Sequence, residues 1–207
     1  YSRDLGIMPV DPEVAAVTCK AAERFTEAGV IVEEACPDLS ETHECFHVLR
    51  AFEFAMGMAP LLRDKRDLLK PEVIWNIEQG LKLSVEDIAR AEAQRVTLAQ
   101  RALAFFDTYD LLLCPATIVA PFPVEQRYVA ECDGKKFDNY VEWLGIAYAL
   151  TVACCPALSL PCGFTANGLP VGLQMVARPR DEAGLLAGAR VLEDILGVRG
   201  STPIDPR

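Results

Sequence analysis

The sequence is short of the residues that most often move protons in catalysis. Its 207 residues include two histidines, His43 and His47, both in one early segment, so a Ser-His-Asp relay is not implied. None of Ser2, Ser40, Ser84, Ser159 and Ser201 sits in a Gly-x-Ser-x-Gly or Ser-x-x-Lys setting. Adjacent glycines occur nowhere, which argues against a phosphate-cradling loop or a glycine-built oxyanion hole. The eight cysteines are irregularly spaced, without a Cys-x-x-Cys pair or a visible signal peptide. They read as free thiols in a reducing cytoplasm, small hydrophobes more than nucleophiles. Positive charge is also scarce, with 20 Lys and Arg against 30 Asp and Glu and a net charge of -10. That field disfavours nucleic acid and anionic membrane surfaces as partners. Met is missing at position 1, where Tyr1-Ser2-Arg3-Asp4 stands, and the expectation is a sequence cut upstream of Tyr1.

What is present reads as a soluble globular chain. Apolar residues make up 51% and charged residues 24%, enough for a sizeable core without staples. There is no linker and no repeat, so residues 1–207 are expected to form one unit. Tyr1–Gly6 reads as the tail of a strand. Asp11-Pro12-Glu13 opens a helix that Gly29 stops, and Val30-Ile31-Val32 follows as a short buried strand. This β-α-β opening favours a parallel or mixed sheet. Ser40 starts a helix that Pro60 interrupts, and Pro71 to Gly80 forms the next. Ser84 and Asp87 form a capping box ahead of a helix running to about Phe106. Asp110–Pro115 is a buried strand, and 116–138 is a long proline-containing loop of the functional kind. Tyr140 to Ala153 is an apolar helix. Ala157–Cys162 and Leu169–Val176 are strands joined through Asn167-Gly168, and Asp181 to Leu196 is an amphipathic helix. Residues 143–177 carry no charge, but their prolines and glycines cut them into pieces too short to span a bilayer.

One motif points to a metal. His43-Glu44-Cys45-Phe46-His47 is an H-E-x-x-H, which on a helix can present two imidazoles to zinc with a glutamate to polarise water. Glu41 lies two residues before the first histidine and no third histidine follows at metzincin spacing. The alternative is a surface helix carrying the chain's two histidines, and that reading is preferred.

A longer pattern lies in the last hundred residues. Tyr109-Asp110-Leu111-Leu112-Leu113-Cys114-Pro115 is followed by Cys155-Pro156-Ala157-Leu158-Ser159-Leu160-Pro161-Cys162-Gly163-Phe164 and then Gly168-Leu169-Pro170-Val171-Gly172-Leu173-Gln174. In that order they closely resemble the C-terminal part of the amidase signature family. Ser2–Gly6 with Pro9–Val14, and Ile77–Gly80 with Arg90, Ala91 and Arg95, are similar to its middle segments. Thr202–Arg207 resembles a natural end. Cys155 departs from the pattern, standing where many members have glycine.

The resemblance implies an α/β chain with a mixed sheet flanked by helices, the C-terminal half of a carboxamide hydrolase that needs no cofactor. It also implies that the family's Ser nucleophile, bridging Ser and Lys base lie in an N-terminal half absent from these residues. No catalytic residue carries over. A degenerate, non-catalytic binding or assembly module is the rival reading. This half would supply a dry wall against the substrate's acyl part, with Cys114, Thr117, Tyr140, Trp143, Tyr148, Thr151 and Cys155 as candidates. Apolar or aryl amides are the expected substrates. The expected partners are the other half of the enzyme or, through an exposed apolar face, a second copy. The pattern does not separate a free-standing amidase from a transamidating subunit.

Overall fold

In the computed structural model, residues 1–198 are described. The natural end read at Thr202–Arg207 lies outside the described residues. Helix α1 spans Pro12–Glu23, with the Asp11 carboxylate accepting from the N–H groups of Glu13 and Val14 and Pro12 at the first position. A 3-10 turn over Arg24–Ala28 carries the chain on to Gly29, whose φ of 78° closes it in the left-handed region. Helix α2 spans Thr42–Asp64, α3 Pro71–Gly80 and α4 Val85–Phe105. The Ser84–Asp87 capping box is complete in both directions. A short 3-10 turn over Glu142–Leu144 leads into α5, Gly145–Val152. The last helix, α6, spans Glu182–Leu196 between the Asp181 cap and a left-handed Gly197.

Strand β1 spans Leu111–Pro115. Two-residue strands β2 (Glu131–Cys132) and β3 (Lys135–Lys136) form a small ribbon within the long loop. Strands β4 (Ala157–Phe164) and β5 (Pro170–Ala177) are joined by the Asn167-Gly168 turn, Gly168 having a φ of 77°. The main sheet has the order β1-β5-β4. Leu113 faces Met175 across β1 and β5, and Ser159 faces Gln174 across β4 and β5. A bulge between Pro161 and Gly163 shifts the register near the hairpin end. Helices α1 and α6 pack on this sheet, whereas α2, α3, α4 and α5 pack on one another. By length and composition α2 is the one described helix able to cross a bilayer, and much of it lies exposed.

The α/β class holds, but the chain differs from its sequence reading in several places, and the helix read from Tyr140 begins only at Gly145, after the 3-10 turn. All described strand pairs are antiparallel. No β-α-β unit forms at the start, because Val30-Ile31-Val32 pairs with no strand and Ile31 is 85% exposed. Helix α2 starts at Thr42, since the Asp38 carboxylate takes the Ser40 N–H in a tight turn and Glu41 precedes the helix without capping it. Pro60 lies inside α2 and does not end it. Continuation past a proline costs about 3 kcal/mol. The close seat of α3 offsets it, for Gly80 backs onto Ala51 and Ala55 where no Cβ fits.

Candidate functional site

The long loop after β1 is held at both ends. Ala116 N–H donates to the Gly172 carbonyl on β5 at 3.0 Å, and Asp11 N–H donates to Ile118 O at 2.8 Å. Thr117 turns its hydroxyl back to Val119 O at 2.7 Å. Between this loop, the 3-10 turn and the β4–β5 hairpin lies a cleft of about 430 Å³. Phe122 and Trp143 form one wall, edge to face with centroids 5.8 Å apart. Pro161, Pro170 and Val171 form the opposite wall, and Gly172 the floor. A Cβ on Gly172 would lie 2.6 Å from Ser159 Oγ and 3.3 Å from Ala116 Cβ, so glycine keeps the floor open. No residue lining this cleft carries an ionisable side chain. The arrangement can hold an aromatic or aliphatic group but supplies no base.

Two of the seven candidates, Thr117 and Trp143, line this cleft. Cys114 is fully buried within β1, accepting from Gln174 Nε2 at 3.4 Å, and burial pushes its thiol up to about 12. Tyr140 turns to α3 and α2, where its hydroxyl accepts from Asn76 Nδ2 at 2.5 Å and from Arg50 at 3.3 Å. Tyr148 is buried, stacked on Phe46 at 3.9 Å. Thr151 is exposed on α5. Cys155 is half-buried, its thiol donating to Ala153 O and raised to about 11 by desolvation. Cys162 is raised likewise, so neither is a thiolate at neutral pH. Sequence reasoning missed Phe122, Ser159 and Gly172. The proline-containing loop was the signal for Phe122, while the two β positions depend on strand register.

The H-E-x-x-H segment is not a metal centre in this fold. His43 Nδ1 accepts from Tyr148 Oη at 2.6 Å and Nε2 donates to Ile7 O at 3.2 Å, a tautomer assigned from these partners. Both ring nitrogens are therefore engaged. Glu44 faces α4 instead, accepting from Arg90 Nε and Gln94 Nε2, each at 2.8 Å. Among the described residues no three metal-binding side chains come together. The histidines anchor α5: a Cβ on Gly145 would meet Met8 and His43. His47 is desolvated, which lowers its pKa below the ordinary histidine value.

The profile of the family described as Amidase matches residues 1–186. The chain belongs to the amidase signature family. It is 30% identical to an acylamidase of Rhodococcus erythropolis over 99% of this chain and 43% of that protein. It is 38% identical to a glutamyl-tRNA(Gln) amidotransferase subunit of Myxococcus xanthus over 89% of this chain and 42% of that one. Among solved structures, a bacterial aryl acylamidase of the amidase signature family superposes with a TM-score of 0.82 at 21% identity, covering 98% of this chain and 45% of that structure. A crystal structure of an amidase gives 0.84 at 22% identity, over 94% and 45%. These likenesses establish the amidase fold. The chain spans under half the length of the curated relatives it matches.

Proposed function

We propose that these residues form the substrate-side part of an amidase that hydrolyses carboxamides bearing an apolar or aryl group. The observation that carries this reading is the cleft beside Trp143 and Phe122, apolar on both walls and free of ionisable side chains. Such a cleft binds by removing apolar surface from water, and a buried aromatic contact contributes about 1.5–3 kcal/mol. It also keeps water from the reacting bond, the setting in which a lysine base stays neutral. The nucleophile and base are assigned to amidase sequence outside these 207 residues, because no described serine or cysteine is hydrogen-bonded to a lysine or histidine. The two that meet a carboxylate, Ser84 with Asp87 and Cys19 with Glu23, lie away from the cleft, Ser84 as a helix cap. The similarity to an acylamidase along nearly the whole chain supports the same reading.

The test uses an amidase that contains this chain. The reading expects anilides to be preferred over acetamide, and Trp143→Ala to lower kcat/KM for an anilide by more than about tenfold while sparing acetamide. Equal turnover of acetamide and anilides by the parent enzyme overturns it. The 207-residue chain by itself is expected to hydrolyse neither.

A further inference from the structure

Arginine in this chain is nearly always met by an acid. Among the described residues the arginines without an ion pair are Arg3, Arg50 and Arg180, and of these Arg50 alone is half-buried. Its guanidinium lies over the Phe54 ring, 4.8 Å from the centroid, and 5.9 Å from that of Phe46. Nη2 donates to Tyr140 Oη at 3.3 Å. Nε is shut off from solvent without a partner, whereas Nη1, bonded to no described residue, is not shut off. The aromatic faces offset part of the cost of desolvating the cation, but they supply no oxygen to its N–H groups. A guanidinium left short of acceptors in this way is under-satisfied.

Tyr140 is short of an acceptor too. Its oxygen takes one N–H from Asn76 at 2.5 Å and one from Arg50, which uses both lone pairs, and its own O–H donates to no described residue. Arg50 Nη1 and the Tyr140 O–H are therefore neighbouring donors, linked through the Nη2–Oη bond. The acids of the surrounding elements are engaged elsewhere. Glu142 turns its carboxylate to Asp138 N–H and Asn139 Nδ2, each at 2.9 Å. On α3, Glu72 pairs with Arg127 and Glu78 with Arg66. Glu53, three residues beyond Arg50 on α2, is exposed.

We propose that Arg50 and Tyr140 form a subsite for a carboxylate carried by a small molecule. One carboxylate oxygen accepts from Arg50 Nη1 and the other from the Tyr140 O–H, a charge-assisted pair of bonds. Phe54 beneath the guanidinium, and Trp75 edge to face with Tyr140 at 6.1 Å, suit an acid with an aryl or aliphatic body. A side-chain carboxylate offers the same two oxygens, and the experiment separates the two sources. Neither Arg50 nor Tyr140 lines the apolar cleft, so the proposal is independent of the amide-hydrolysis reading.

The probe is benzoate, with benzamide as its uncharged analogue of similar shape. Each is titrated into the 207-residue chain while the NMR signals of the Arg50 Nε–H and the Asn76 side-chain amide are followed. Benzoate is expected to shift them saturably, and benzamide to bind at least about tenfold more weakly. Arg50→Gln should weaken benzoate binding by at least about tenfold, read at Asn76, and Tyr140→Phe by about two- to tenfold. Arg50→Lys keeps the charge without the planar fork and should fall between the native chain and Arg50→Gln. The Leu173 amide monitors an intact fold in every variant. No saturable shift, or equal binding of benzamide, overturns the proposal. So does benzoate binding that survives both Arg50→Gln and Tyr140→Phe. The same titration of an amidase that contains this chain decides the source. Retained binding supports a small-molecule ligand. Loss of binding there, with the 207-residue chain still responding, would place a side-chain carboxylate on Arg50 and overturn the proposal.

Discussion

The β4–β5 hairpin and the Val30–Val32 segment carry the same kind of sequence signal and meet different fates. Both follow a glycine at positive φ, with Gly168 at 77° and Gly29 at 78°, and both then run through β-branched or aliphatic residues. The hairpin finds its partner six residues away and a second partner in β1, so β5 is bonded on both sides. Val30–Val32 has no strand beside it among the described residues. A strand pattern in sequence states what a segment can bury; whether it does so is decided by the neighbour.

That contrast is open to measurement. The largest difference concerns side-chain truncation. Leu173 is fully buried in β5, and Leu173→Ala should cost about 2–5 kcal/mol in urea unfolding. Ile31, 85% exposed, should change stability by less than about 0.5 kcal/mol on Ile31→Ala. Comparable losses at the two sites would mean that Val30–Val32 is buried in solution.

Next comes the floor of the apolar cleft. Gly172→Ala places a Cβ against Ser159 Oγ, and should cost about 1–3 kcal/mol by overpacking. Ser159→Gly in the same chain should recover much of that loss, a coupling that thermal melts of the double-mutant cycle would reveal. Additive losses would place the strain elsewhere. The two turns should then behave alike. Gly168→Ala and Gly29→Ala should each cost about 1 kcal/mol, because both force a left-handed conformation and neither meets a neighbour within 4 Å. Similar costs with unequal strand protection would show that turn chemistry is the same in both regions and only the partner differs.

The smallest effect is a pH dependence common to both regions. Burial holds His47 below its ordinary pKa, so the unfolded chain binds its proton first as pH falls. Its contribution to stability is complete above the unfolded value near 6.5 and is lost as pH falls through the lower, folded value. His47→Gln should flatten that slope in urea midpoints taken between pH 7 and 5, leaving the difference between Leu173 and Ile31 unchanged. An unchanged slope would assign the acid sensitivity to the carboxylates.

Most of the local structure was legible because local chemistry decides it. Asp11, Ser84 with Asp87, and Asp181 cap the helices expected of them, and the Asn167-Gly168 turn closes the hairpin. Errors arose where a distant element decides. Pro60 stays helical because α3 packs against α2 through Gly80, and Ser40 yields its cap to the Asp38 turn. The site was legible in part for the same reason. Trp143 and Thr117 were reachable from their segments, whereas Tyr140 and Tyr148 point to α2 and α3 partners far away in sequence, and Ser159 meets Gly172 only through sheet register.

The most direct test of the contrast is amide exchange of the 207-residue chain, residue by residue. Val32 and Glu33 should exchange within about tenfold of an unprotected peptide, while Leu173 and Met175 in β5 should exchange only through global unfolding, tracking urea as the whole chain does. Equal protection of the two segments would contradict the account.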